Sequence, residues 1–192
     1  DALPIYSEAQ TKMGNALNLL MNGNVFLYYG EELGMKGSGK DENKRAPMYW
    51  SKDGNAEGMC KGPADMDDFR MKFDSLEEQQ EDPDSIYNYV KQVIRVRNQN
   101  PVIARGTTAY LEQYSGEQCF AMTRSDENSS LLMLGNTSAE TATVDLTGLT
   151  VGGTTAEELV LLGELYTGEE IAERAGTVVT LPAYSILILG EE

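Results

Sequence analysis

Ala9, Met13, Ala16, Leu17, Leu20 and Met21 recur at helical spacing, which places them on one face of an amphipathic helix. Ser7 and Gln10 offer a capping box at its start, and "NGN" at 22–24 stops it. Val25 to Tyr29 follows as a short continuous apolar run, the pattern of a strand covered on both faces, typically in a parallel sheet. From Gly30 to about Asp74 no period persists, and a connection of that length is suspect as functional. Ser75 with Glu78 predicts a second capping box and a short helix. Asp82 and Pro83 predict the cap and first turn of a long helix, whose stripe is Ile86, Tyr89, Val90, Val93 and Ile94 before "NQNP" ends it.

After Pro101 the pattern changes to short runs separated by turns: "TTAYLEQY", "QCFAMTR", "SLLMLGN", "ETATVDLT", "EELVLLGELY", "GTVVTL" and "YSILILG". Regular spacing with Gly and Ser between predicts an antiparallel sandwich of seven or eight strands. The expected division is therefore 1–100, containing the loop 30–74, and 101–192.

Composition narrows the chemistry. A net charge of -16, from 31 acidic and 15 basic side chains, argues against nucleic acid and anionic membranes as partners. With no histidine, His-based triads and zinc sites with His ligands are excluded, so any chemistry rests on carboxylates. Cys60 and Cys119 are too far apart for a CxxC pair, and one bridge or two free thiols both fit. No run is long enough to span a bilayer, and "DALPIYSEAQ" lacks a signal peptide's basic and apolar regions. The absent Met and the immediate helix suggest a piece of something longer.

"GMKGSGKD" comes within one residue of a phosphate-binding loop: Gly34, Gly39 and Lys40 fit, but Asp41 stands where Ser or Thr would ligate magnesium. Its charge would face the phosphates, so a Gly-rich turn is the better reading. The acidic stretches "ADMDDF" and "DSLEEQQEDPD" lack the EF-hand spacing and its Gly, and read as solvated faces. No metal or other cofactor is expected.

The segment Asn24 to Met35, "NVFLYYGEELGM", together with Asp41, Arg45, Pro47, Met48 and Trp50, resembles the alpha-amylase family of retaining glycoside hydrolases. In that family a strand ending Y-Y-G-E-E-I-G-M is followed by a loop containing D-x-x-x-R-x-P-M-x-W. Ser85, Tyr89, Val93 and Arg97 approximate the pattern of its last barrel helix. The resemblance implies an α+β chain: the last helix-strand-helix segment of a (β/α)8 TIM barrel, then a complete antiparallel C-terminal sandwich of Greek-key type. It also implies that the catalytic Asp, Glu and supporting Asp lie upstream, the last in an N-H-D motif that a chain without histidine cannot contain. Retaining hydrolysis needs two carboxyl groups about 5–5.5 Å apart. Glu31 and Glu32, adjacent on a strand end, point to opposite sides and suit that role poorly.

No catalytic residue is therefore assigned, and the implied substrate-binding residues are Asp41 and Arg45, which in related enzymes hold a glucose unit. A carboxylate accepts from neighbouring hydroxyls and a guanidinium fork donates in fixed geometry. A mutual Asp41–Arg45 salt bridge is the equal alternative. Tyr28, Tyr29, Tyr49 and Trp50 could stack on sugar, though core packing is preferred for Tyr28 and Trp50. The leading expectation is the C-terminal portion of an enzyme acting on an alpha-glucan or maltooligosaccharide, inactive by itself. A carbohydrate-binding or structural sandwich, and a fragment of a non-catalytic relative, are the alternatives. An extracellular site suits starch, and short maltodextrins admit a cytoplasmic one. An unpaired strand 25–29 would drive self-association or repack onto the sandwich.

Overall fold

The computed structural model describes residues 7–54 and 57–191, so the first six positions of the expected first unit lie outside the described residues. Helix α1 spans Glu8–Leu19, and its capping box forms as expected: the Gln10 amide donates to Ser7 Oγ and the Ser7 amide to Gln10 Oε1, each at 3.1 Å. Helix α2 spans Leu76–Glu81, with Ser75 and Glu78 in the same reciprocal arrangement. Helix α3 spans Ile86–Gln99 but is capped by Ser85, whose hydroxyl accepts from the Asn88 amide at 3.2 Å. Asp82, expected as that cap, instead ends α2 and accepts from the Asp84 amide in a local turn. A fourth helix, α4, spans Val102–Arg105.

Ten strands follow: β1 Thr107–Tyr110, β2 Cys119–Ser125, β3 Ser130–Asn136, β4 Ala142–Asp145, β5 Thr150–Val151, β6 Thr154–Thr155, β7 Val160–Leu165, β8 Glu173–Ala175, β9 Val178–Leu181 and β10 Ser185–Gly190. The seven predicted runs each carry one of the longer strands. β5, β6 and β8 are too short to register as hydrophobic runs. The order is β1-β2-β3-β10-β7 in one antiparallel sheet and β4-β9-β8 in a second, with β5-β6 a separate hairpin. That hairpin turns on Gly152 and Gly153, both at positive φ, as a two-residue turn requires.

Alternation along the central strands divides the interior into two apolar layers. Leu131 and Met133 of β3 and Ile186 and Ile188 of β10 face the helices, meeting Met13, Ala16, Tyr89, Val93 and Ile103. Leu132, Leu134, Leu187 and Leu189 face the other way, toward Val144, Val179 and Leu181 of the second sheet. Burial on both faces explains why these antiparallel strands read as nearly unbroken apolar runs. The helix-facing layer crosses position 100, joining the helices and the five-stranded sheet in one cluster.

The residues expected as strand 25–29 are not a strand. They run irregularly, with no sheet partner among the described residues, and Phe26 is 85% exposed. A strand exists only through hydrogen bonds to a neighbour, and among the described residues no strand pairs with this segment. Only Val25 packs against the helix-facing layer, so the segment does not repack onto the sheets. Arg97 secures its start: Nη1 donates to the Leu19 and Met21 carbonyls at 2.7 and 2.5 Å, and Nη2 to that of Gly23 at 2.6 Å. Leu19 is the last residue of α1, whose terminal carbonyls favour a cation, and Met21 and Gly23 follow just past the cap. Buried Arg124 adds a longer contact to the Leu20 carbonyl; desolvation, then repulsion from Arg97, lowers its pKa.

Candidate functional site

The segment after Tyr29 is built by glycines and short 3-10 turns. Gly30 is left-handed at φ +89, and a 3-10 turn spans Glu31–Leu33, with buried Leu33 as its anchor. Both acidic side chains of this turn are engaged by main chain: Glu31 Oε2 accepts from the Tyr28 amide at 3.2 Å and Glu32 Oε2 from the Gly30 amide at 2.7 Å. Carboxylates so used suit a structural role rather than an acid and nucleophile pair.

A second 3-10 turn, Asn43–Arg45, ends on Arg45 and begins two residues after Asp41, the two positions singled out from the sequence. Its hub is Asn43, a polar side chain only 4% exposed between exposed Asp41, Lys44 and Arg45. Asn43 Nδ2 donates to the Ser38 carbonyl and to Asp67 Oδ2, both at 2.8 Å, while Asn43 Oδ1 accepts from the Asp67 amide at 2.9 Å. Lys40 completes the staple by pairing with Asp67 Oδ1 at 2.8 Å. The hydrogen bonds from Lys40 and then Asn43 hold the Asp67 carboxyl below its ordinary pKa. Gly37 allows the crossing, since a Cβ there would sit 3.0 Å from the Asn43 carbonyl.

Asp41, just before this stapled turn, and Arg45, at its end, are both exposed and do not pair with each other. Asp41 Oδ1 meets Lys44 Nζ at 3.1 Å, and Arg45 Nη2 lies 3.5 Å from Glu42 Oε1. The link between them runs through main chain, Arg45 Nε donating to the Asp41 carbonyl at 3.4 Å. The salt bridge considered from the sequence is thus replaced by two pairs with nearer neighbours. Both are solvent-exposed and worth at most about 1 kcal/mol, so a ligand could displace them.

Two tyrosines back the turn. Tyr29 Oη donates to the Ala46 carbonyl at 3.0 Å, and Tyr28 Oη reaches the Lys44 carbonyl at 3.4 Å. Their rings are 4.8 Å apart and tilted by 40°. Partial burial, then the neighbouring Tyr28, raises the Tyr29 pKa. Tyr28 and Trp50, expected in the core, are exposed, because nothing in the described residues covers this side. Asn43 escaped the sequence reading, as did the pairing of Lys40 and Asp67 around it: the Asn43–Asp67 contact joins positions 24 residues apart, and no local pattern signals it. Among the described residues no cluster of His, Cys, Asp and Glu could hold a metal ion. Cys60 and Cys119 are both free thiols.

A family model described as the alpha amylase catalytic domain matches residues 3–106, more than half of the chain and all of this loop. The chain belongs to the alpha-amylase family. Amy13B of Eubacterium rectale is 42% identical to this alpha-amylase family chain, with a TM-score of 0.89 over 96% of it and 35% of that protein. Alpha-amylase 3 of Dictyoglomus thermophilum is 30% identical over 94 residues, covering 49% of this chain and 19% of the relative. The cyclomaltodextrinase of Geobacillus thermopakistaniensis is 27% identical over 175 residues, covering 91% and 24%. The chain therefore spans a quarter or less of these two curated relatives and about a third of the solved structure.

Proposed function

We propose that this chain is the C-terminal portion of a retaining alpha-glycoside hydrolase acting on alpha-glucans or maltooligosaccharides. Its residues 1–100 complete a barrel and 101–192 form the C-terminal sandwich of Greek-key type. The reading is carried by the stapled turn of Asp41 and Arg45, which presents an acceptor and a planar donor beside Tyr28 and Tyr29. Loops of this kind build the active site at the strand C-termini of a TIM barrel. A neutral polyhydroxyl ligand suits the chemistry: Asp41 accepts from adjacent hydroxyls, Arg45 donates, and the exposed pairs with Lys44 and Glu42 open to admit it. Family membership and the resemblance of the two sequence blocks support the same assignment.

The chain supplies sugar contacts rather than the cleavage step. It holds no histidine for the family's N-H-D motif, and Glu31 and Glu32 are occupied by backbone amides. Turnover of maltooligosaccharides is expected from a protein extended upstream by a catalytic barrel segment and absent from residues 1–192 alone. Arg45→Ala in the extended protein should raise KM or lower kcat/KM by about tenfold, the loss of one charged hydrogen bond. Hydrolysis by residues 1–192 alone, or an Arg45→Ala enzyme with unchanged kcat/KM, refutes the assignment.

A further inference from the structure

A second concavity lies on the strand-rich half, where no residue of the Asp41 loop reaches. It is an open cleft of 610 Å³ between the end of β1, the 3-10 turn Glu112–Tyr114 and the turn 148–150. Its walls are anchored from below. Leu149 is buried and Leu111 packs beside it in the layer between the sheets. Ser115 Oγ donates to the Leu111 carbonyl and accepts from the Ala121 amide, both at 2.9 Å, while Tyr114 Oη spans to the Thr147 carbonyl at 3.2 Å. Gly148, left-handed at φ +81, turns the opposite rim.

Within this fixed frame the side chains facing solvent are unspent. Tyr110 is 59% exposed on an edge strand, and Glu112 and Gln113 are exposed beside it. Among the described residues, the Tyr110 hydroxyl, Glu112 carboxylate and Gln113 amide make no hydrogen bond to protein. The cleft thus offers an aromatic face, an anionic acceptor and an amide that both donates and accepts. Glu112 and the net charge of -16 repel an anionic ligand, and no cation sits among the lining residues to bind one. An uncharged ligand with ring C–H faces and many hydroxyls uses every group present.

We infer that this cleft is a second alpha-glucan site, separate from the Asp41 loop, in which Tyr110 stacks on a glucosyl ring while Glu112 and Gln113 bind its hydroxyls. The identity of the sugar rests on the reading given under Proposed function; the existence of the site does not involve that loop. The test is calorimetric titration of maltoheptaose into residues 1–192 in an Arg45→Ala background, which weakens the loop's contribution about tenfold. Binding should persist there, weaken at least about fivefold on adding Tyr110→Ala, and be largely kept by Tyr110→Phe, which retains the ring. Circular dichroism checks that each variant folds. No binding in the Arg45→Ala background, or binding indifferent to Tyr110→Ala, overturns the inference, as does equal binding of cellohexaose. The hydrolase reading is judged separately, by turnover in the extended protein.

Discussion

Asn43→Ala tests whether the candidate loop is held in shape by one buried amide. The substitution deletes the donor to the Ser38 carbonyl at 2.8 Å and the acceptor for the Asp67 amide at 2.9 Å. Each such bond contributes about 1 kcal/mol. The third bond, to the Asp67 carboxylate, is exposed and weakened by solvent, so the estimate rests on the two main-chain bonds. The expected loss is about 2 kcal/mol of local stability, or about 30-fold in the opening equilibrium, since 1.4 kcal/mol is tenfold. It is confined to the loop because Asn43 touches neither apolar layer. Hydrogen exchange read by mass spectrometry should therefore show amides of residues 43–46 and 67 exchanging about 30-fold faster, with β3 and β10 unchanged. Lys44→Ala, which removes only an exposed pair, serves as the control. Unchanged loop exchange in Asn43→Ala, or a change as large in Lys44→Ala, would refute the staple.

Three further outcomes follow from the same geometry. Because the Asp67 carboxyl titrates below its ordinary value of 3.8, its contribution to the loop is complete above that pH and is lost as pH falls through the lowered pKa. Loop exchange, corrected for intrinsic rates, should rise below about pH 4 in the wild type and lose this pH dependence in Asp67→Asn; an identical profile in both contradicts the assignment. Gly135→Ala should destabilise by about 1–3 kcal/mol in thermal denaturation, because a Cβ there would overlap the Phe120 ring, whose displacement opens the helix-facing layer; an unaltered melting temperature argues against that packing. Exposed Phe26 and Leu27 are expected to drive self-association, so light scattering should give a concentration-dependent mass that falls in Phe26→Ser/Leu27→Ser; a monomer at all concentrations removes that expectation.

The elements legible in the sequence are those whose stabilising contacts are local or periodic. Ser7 with Gln10 and Ser75 with Glu78 announce their caps because the partners are three residues apart. The runs around β3 and β10 announce strands because every residue from Leu131 to Leu134 and from Ile186 to Leu189 is buried. Val25 to Tyr29 misleads for the converse reason: its composition is a strand's, but a strand's hydrogen bonds belong to its neighbour. Asp41 and Arg45 were visible only through their place in a longer motif, and the pairs they make, with Lys44 and Glu42, are choices among nearby charges that spacing does not rank. Asn43 was invisible, since polar residues in a Gly-rich stretch give no hint that one of them reaches Asp67 and is buried.

The placement of β10 bears on how the chain is made. It is the last element to leave the ribosome among those described, yet it lies between β3 and β7, with Ile186 and Ile188 in one apolar layer and Leu187 and Leu189 in the other. Neither layer can close before residues 185–190 emerge. During synthesis the apolar faces of β2 and β3 stay exposed until β10 has emerged, although residues 119–136 are made about fifty residues earlier. A chain cut anywhere before Ser185 would leave β3 and β7 without the strand that joins them and both layers open, a substrate for proteolysis.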